Sequence, residues 1–111
     1  MAGFLSCRVH RELSSVRFRR LESFGERLVG LLGTDVSAEP VVLCGCSSIH
    51  TVGMAYAIDV AFAARDGHVL LAQRAVVPCR MLSAHGAYYV FERPTSEEPW
   101  FREGTTIEMT D

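Results

Sequence analysis

Short apolar runs separated by turn-forming residues fill most of this chain. Residues 41–44 form a continuous apolar run, whereas residues 57–63 alternate between two faces. The faces of that second run hold Ile58, Val60 and Phe62 on one side and Asp59, Ala61 and Ala63 on the other. Alternation over six or seven residues is typical of a β-strand. Similar patterns predict strands in residues 4–11, 69–77, 87–92 and 105–109.

Turn signals divide these predicted strands. Asp66 and Gly67 lie between two apolar runs, and this dipeptide favours a type I′ hairpin turn because both central residues need positive φ. Pro78 is expected to end the return strand. Residues 45–53 interrupt the pattern, and we expect loop or irregular strand there. Residues 81–86 are expected to form a loop. Residues 13–20 are rich in arginine and predict either a loop or a continuation of the first strand.

One helix is predicted near the N-terminal quarter of the chain. Ser23 and Glu26 form a capping box, in which each side chain satisfies a free N–H group of the other. An apolar stripe at helical spacing follows, formed by Leu21, Phe24, Leu28, Leu31 and Leu32. The pattern predicts a helix over residues 24–32 that ends at Gly33. Gly30 within it suggests close approach to another backbone.

These elements add up to a mostly β (α+β) fold in a single domain, residues 1–111. We expect an antiparallel, sandwich-like or barrel-like sheet of about five to seven strands with one short helix. No internal repeat or low-complexity segment divides the chain.

The charge of the chain argues against broad classes of partner. Its formal net charge is −2, which gives no overall attraction to nucleic acid or to anionic membranes. Arginines cluster near the N-terminus, and acidic residues cluster near the C-terminus. We interpret this asymmetry as intramolecular pairing or a solvated face; the alternative is an arginine patch for an anionic or protein partner.

The location of the protein is predicted from what the sequence lacks. No signal peptide is evident at the N-terminus, and no apolar run approaches the roughly 20 residues that span a bilayer. A cytoplasmic protein without membrane association follows. The four cysteines, Cys7, Cys44, Cys46 and Cys79, are then expected to be free thiols.

The richest polar chemistry lies in residues 41–62. Cys46, His50 and Asp59 could act together as a nucleophile, its base and an orienting carboxylate. Core packing of the thiol and backbone hydrogen bonding of the histidine are the commoner roles for such residues. A zinc site would need Cys44, Cys46 and His50 with Cys79 or His85, but this is not a familiar ligand spacing. We therefore predict no metal and no cofactor.

Asp59 is the most suggestive single residue. A carboxylate within an apolar strand is costly unless it is paired or hydrogen-bonded. We expect it to pair with Arg80 or Arg74, or to accept hydrogen bonds from the backbone of residues 47–53. Thr51, Ser47 and Ser48 are its expected neighbours.

The residues of this region and the segments around it resemble the prokaryotic domain-of-unknown-function family numbered 192. The resemblance covers roughly residues 23–109. The segments that carry it are Phe24-Gly25-Glu26-Arg27-Leu28-Val29-Gly30-Leu31-Leu32-Gly33, Ile49-His50-Thr51 with Met54, Ile58-Asp59-Val60 with Phe62, Asp66-Gly67, Pro78 with Arg80, Gly86-Ala87 and Gly104.

The resemblance implies a compact, clam-like, mostly β domain with a short helix at one side, and it implies no activity, since none is established for the family. Ala55 and Ala57 stand where relatives often carry a basic residue and a proline. Any ligand contact that those two residues make in relatives is not expected here.

We predict that the protein is a binding or accessory module for a small polar or anionic molecule. The predicted cleft is lined by His50, Thr51, Met54, Asp59 and Arg80. One alternative is a hydrolase or transferase that depends on Cys46 and His50. Another is a protein-interaction or assembly domain that binds through its sheet edge and its arginine-rich N-terminus.

Overall fold

A computed structural model describes residues 3–8 and 15–110. Residues 9–14, which include parts of the first predicted strand and of the arginine-rich segment, lie outside the described residues, as do the side chains of Phe24, Leu28 and Val29. The elements are β1 (Phe4–Arg8), β2 (Ser15–Leu21), α1 (Phe24–Val29), β3 (Val41–Cys44), β4 (Ser48–His50), β5 (Ile58–Ala63), β6 (Val69–Val76), β7 (Met81–Ser83), β8 (Tyr89–Pro94) and β9 (Glu108–Thr110).

Seven of the strands form one curled sheet in the order β6-β5-β8-β3-β2-β1-β9. All neighbours are antiparallel except β2 and β3, which run parallel. Strands β4 and β7 form a separate two-stranded antiparallel sheet. The predicted mostly β fold with one short helix is confirmed.

Both faces of the central strands are buried. Every residue of β3 and β5 is buried, which explains why β3 is a continuous apolar run. One face carries an aromatic cluster, in which Phe18 lies against Phe91 and Phe101. The other face carries Ile58, Val60 and Phe62, as the alternation in residues 57–63 predicted.

The curl of the sheet brings its two ends together. The amide of Val69, at the start of β6, donates to the carbonyl of Thr105, and the amide of Ile107 donates to the carbonyl of Gly67. Residues 104–107 lead directly into β9, the strand at the opposite end of the sheet. The hairpin that begins β6 is therefore hydrogen-bonded to the segment that begins β9.

The predicted type I′ turn at Asp66 and Gly67 is wrong. Gly67 has a φ of 95°, whereas Asp66 is not among the described residues with positive φ. The amide of Gly67 donates to the carbonyl of Ala64, and the amide of Ala64 donates to the carbonyl of His68. A three-residue connection with one left-handed glycine replaces the two-residue turn, while the predicted hairpin between β5 and β6 is present.

The helix is shorter than predicted. The capping box of Ser23 and Glu26 is present, but α1 ends at Val29, with Gly30 rather than Gly33 as its cap. Gly30 has a φ of 52°, which a residue with a side chain rarely adopts. Strand β4 lies in the segment that we predicted as loop or irregular strand. The loop predicted over residues 81–86 is wrong for residues 81–83, which form β7 by pairing with β4.

The four cysteines are free thiols, as predicted. Among the described residues, no helix is both long enough and apolar enough to span a bilayer.

Candidate functional site

A cavity of about 250 Å³ lies between the large sheet, the small sheet and the end of α1. The large sheet contributes Leu43, Ile58 and Glu92 to its lining. The last turn of α1 and the residues that follow it contribute Arg27, Gly30 and Leu32. The small sheet and the segment after β4 contribute Ser48, Ile49, His50, Val52, Met54 and Met81. Most of these side chains are apolar, so the few polar groups determine what the cavity can recognise.

Glu92 is the buried polar group of this cavity. It lies on β8 between Val41 of β3 and Val60 of β5, two fully buried residues of the same apolar cluster. Only 5% of Glu92 is exposed. The alternation of β8 therefore directs this carboxyl toward the apolar face that the cavity opens on.

The carboxyl of Glu92 has no hydrogen-bond or ion-pair partner among the described residues. A methyl group built on Gly30 would lie 3.2 Å from Oε1 of Glu92, so the glycine leaves room for the carboxyl. The close approach predicted at Gly30 is thus made to a side chain and not to a backbone. Burial raises the pKa of Glu92 to about 7, because an ionised carboxylate is poorly solvated there.

Arg27 forms part of the wall of the cavity. Its Nη1 donates to the carbonyls of Cys44 and Gly45, each at 3.0 Å. These bonds tie the last turn of α1 to the end of β3. They also engage one end of the guanidinium with backbone, so that the carboxyl of Glu92 remains without this cation as a partner.

The rim of the cavity combines polar and exposed apolar side chains. Ser48 and His50 are exposed on β4. Val52 is 54% exposed and Met81 is 79% exposed. Large apolar side chains on a surface are often part of a binding site when they surround a concave opening.

His50 and Met54 are the two residues of the predicted cleft that line this cavity. Thr51, which lies between them in the chain, is buried and forms hydrogen bonds with backbone groups instead. Its Oγ1 donates to the carbonyl of Val77 and accepts from the amide of Arg80, both at 2.8 Å. Thr51 therefore fixes the 77–80 turn beside β4, and Arg80 itself is exposed.

The predicted pairing of Asp59 with Arg80 or Arg74 is wrong. Oδ2 of Asp59 accepts from Nε of Arg93 at 2.8 Å, and both side chains are buried. Oδ1 accepts from the amide of Ala75 and from the hydroxyl of Thr95. Asp59 points to the face of β5 opposite Ile58 and Val60, and so it does not line the cavity.

The predicted loop contact of Asp59 is also absent from the described residues. Asp59 accepts from the amide of Ser96 at 3.4 Å, and from no amide of residues 47–53. Thr51, Ser47 and Ser48 are therefore not its hydrogen-bonding neighbours.

Cys46 and His50 are not hydrogen-bonded to each other in the described part of the chain. The thiol of Cys46 donates to the carbonyl of Ser48 at 3.1 Å. Neither this pair nor Asp59 forms the arrangement that a nucleophile, a base and an orienting carboxylate require. Their catalytic role stays a prediction that this geometry does not favour.

The alternative zinc ligands are not brought together either. Across residues 3–8 and 15–110, no group of three or more His, Cys, Asp or Glu side chains is placed to hold a metal ion. Burial raises the pKa of Cys44, which disfavours the thiolate that zinc binds.

A second cavity, of about 410 Å³, lies between β2, the segment before β3 and the residues after β8. Its buried charged residue, Arg93, already donates to Asp59 and to the carbonyls of Glu98 and Pro99. We therefore take the smaller cavity, with its unpartnered Glu92, as the candidate site.

Sequence reasoning missed Glu92 and Arg27. Glu92 stood at the end of a predicted strand, where a charged residue is unremarkable. A usable signal was the alternation of Val90, Phe91 and Glu92, which places Glu92 on the same face as Val90. A strand buried on both faces leaves little solvent for that carboxyl.

Fold and site together define a small β domain with one buried carboxyl in an otherwise mostly apolar cavity. No family model matches the chain, and no curated protein matches it. The resemblance to the domain-of-unknown-function 192 family therefore stays a prediction.

Two solved structures share the fold. A protein of Sinorhizobium meliloti 1021, described as a "putative transcription regulator", has a TM-score of 0.77 and 14% identity over 98% of this chain and 94% of its own. A protein of unknown function from Novosphingobium aromaticivorans DSM 12444 has a TM-score of 0.68 and 17% identity over 96% of this chain and 84% of its own. At such identities the likeness shows the fold alone.

Proposed function

We propose that this domain is a binding module whose Glu92 cavity takes one small molecule with an apolar body and a polar group. The observation that carries the proposal is the buried carboxyl of Glu92, which has no partner among the described residues and opens on the cavity. Burying a polar group without a hydrogen bond costs about 1–3 kcal/mol. A bound molecule that supplied the missing partner would offset this cost.

The apolar lining supports the same proposal. Leu43, Met54 and Ile58 in the lining offer surface to an apolar body. Methionine side chains adapt their shape to different ligands, because they are unbranched and polarisable. The exposed Val52 and Met81 at the rim extend this apolar surface toward solvent.

The proposal narrows the class of ligand, which the sequence predicted to be polar or anionic. When Glu92 is ionised, a negative group at the base of the cavity would meet its carboxylate, and like charges at short distance repel. The proposed ligand is therefore still polar, but it is not anionic. The cytoplasmic location and a protein partner remain predictions of the sequence.

A role in transcription is not carried over from the Sinorhizobium protein. The identity of 14% supports the fold alone, and the formal net charge of −2 offers no overall attraction to DNA.

Fragment binding followed by ¹H–¹⁵N NMR tests the proposal. A library of small neutral, cationic and anionic fragments is titrated into the protein. We expect a subset to shift the amide signals of Ser48, His50 and Met54, which line the cavity.

Two substitutions on adjacent exposed residues make a matched comparison. Ser48→Trp places a large side chain at the lining of the cavity, whereas Ser47→Trp places one on a residue outside it. Fragment shifts should disappear in the first variant and persist in the second. Shifts that are absent from the wild type, or that are equally retained in both variants, would contradict binding in this cavity.

A further inference from the structure

We propose that the polar group of the ligand is a protonated amine, which donates hydrogen bonds to the carboxylate of Glu92 at the base of the cavity. This inference rests on the proposed function, because it names the chemical class of the molecule that the cavity takes. The ligand is then an alkylammonium ion with a short apolar body.

The first step is that the ionised form of Glu92 needs a hydrogen-bond donor as its partner. An ionised carboxylate only accepts hydrogen bonds, and it has room for several. Thr51, Asp59 and Arg93 show how the described part of this chain treats its other buried polar side chains: each has hydrogen-bond partners within the fold. Glu92 is the exception, and its carboxyl adjoins a cavity.

The second step is that a cation suits this position better than a neutral donor. A charge-assisted hydrogen bond is roughly twice as strong as a neutral one. An ammonium ion would also counter the buried negative charge, whereas a hydroxyl would leave it unbalanced. Glu92 is the acidic residue of the lining, so it defines where a positive group would sit.

The other charged or titratable groups of the lining are Arg27 on α1 and His50 on β4. Arg27 would repel a second cation, but its Nη1 is directed at the carbonyls of Cys44 and Gly45. His50 lies on the exposed strand of the small sheet, at the solvent side of the lining. Neither residue is within ion-pair distance of Glu92.

The size and lining of the cavity set the rest of the molecule. A volume of about 250 Å³ is below the roughly 300–1,000 Å³ of pockets for drug-sized ligands. Leu43, Ile58 and Met54 offer methyl, methylene and thioether groups. A short alkyl chain that carries one amine fits both requirements.

The test compares three molecules with the same chain: n-butylammonium, 1-butanol and butyrate. Each is titrated at about pH 7 while the amide signals around the cavity are followed by NMR. We expect n-butylammonium to bind about tenfold more tightly than 1-butanol, since its hydrogen bond to Glu92 is charge-assisted. Butyrate should bind most weakly.

Glu92→Gln removes the charge and keeps the shape of the side chain. In this variant n-butylammonium should lose its advantage over 1-butanol, whereas Glu97→Gln, at an exposed residue outside the cavity, should retain it. Equal affinities of n-butylammonium and 1-butanol for the wild type would overturn the proposal that the ligand is an amine. The cavity would still be a binding site. Absence of any binding, by these molecules and by the fragment library, would overturn the proposed function itself.

A second measurement does not depend on the folding of a variant. The carboxyl of Glu92 can be titrated by ¹³C NMR in the wild type, with and without saturating n-butylammonium. A bound cation favours the ionised form, so the pKa of Glu92 should fall when the amine binds. An unchanged pKa in the presence of bound amine would contradict contact between the two groups.

Discussion

Glu92 couples ionisation to folding, because its carboxyl is solvated in the unfolded chain and buried in the folded one. The pKa is raised from its ordinary value of 4.5 to about 7 in the folded protein. Between these two values the folded protein holds a proton that the unfolded chain releases. Raising the pH through this window therefore destabilises the folded state.

Glu92→Gln should remove this pH dependence. Below about pH 4.5 the free energy of unfolding should change with pH equally in wild type and variant, since the carboxyl is protonated in both the folded and the unfolded wild type. Above about pH 7 the wild type should have lost about 3 kcal/mol relative to the variant, from the shift in pKa. Urea unfolding of both proteins at several pH values measures the difference.

The difference between the two proteins isolates Glu92. Arg27 and His50 also line the cavity, but both are present in the wild type and in the variant. Glu97→Gln, at an exposed position, should give a curve parallel to that of the wild type. Parallel curves for Glu92→Gln as well would mean that the carboxyl is solvated in the folded protein.

At the scale of elements, Asp59 joins three strands and the segment after β8. From β5 it accepts from the amide of Ala75 on β6 and from Nε of Arg93 on β8. It also accepts from Thr95, just beyond β8. Arg93 in turn lies over the ring of Trp100. The carboxylate thus holds the end of the sheet against the aromatic cluster.

Asp59→Asn should destabilise the protein by about 3 kcal/mol or more, because it leaves the buried guanidinium of Arg93 without its counter-charge. Glu39→Gln is the matched control, since Glu39 pairs with Arg19 at 3.1 Å with both side chains substantially exposed. That change should cost at most about 1 kcal/mol. Urea unfolding of the two variants compares them, and equal losses would contradict a structural role for the buried pair.

How far the sequence predicts these elements depends on the distance between partners in the chain. The capping box of Ser23 and Glu26 involves residues three positions apart, and it was predicted correctly. Asp59 and Arg93 are 34 positions apart. The periodicity places Asp59 on the face opposite Val60, but the pairing of β5 with β8 is what brings Arg93 to it.

The candidate site is less predictable than the fold for the same reason. His50 and Met54 belong to one short stretch of chain and were both placed in the cleft. Glu92 enters from another strand, and Arg27 enters from α1. Their approach to His50 depends on the small sheet of β4 and β7, and three-residue strands such as these give little periodicity to read.

At the scale of the whole molecule, the two ends of the large sheet meet at Gly67. Its carbonyl accepts from the amide of Ile107, and a methyl group built on it would lie 2.8 Å from the carbonyl oxygen of Ile107. A side chain at this position would push apart the hairpin of β5 and β6 and the segment that leads to β9.

Gly67→Ala should therefore destabilise the protein by more than its backbone conformation alone explains. Gly104 provides the control: its φ of 85° is close to the 95° of Gly67, but a methyl group on it would meet no atom within 4 Å. Each substitution should cost about 1–2 kcal/mol for the left-handed conformation. Gly67→Ala should cost at least about 1 kcal/mol more, because the contact with Ile107 must open.

Amide hydrogen exchange distinguishes strain confined to residue 67 from loss of the junction between the two ends of the sheet. The amides of Val69, Gly104 and Ile107 donate hydrogen bonds that join the two ends of the sheet. The amides of Val69 and Ile107 should exchange faster in Gly67→Ala. They should change little in Gly104→Ala, because a methyl group on Gly104 would meet no atom within 4 Å. Amides in the middle of β3 and β5 should keep their relative protection in both variants. Equal losses of stability in the two variants, with unchanged exchange at Val69 and Ile107, would mean that the sheet holds its curl without this junction. Its curvature would then have to come from the packing of Phe18, Phe91 and Phe101 on the aromatic face.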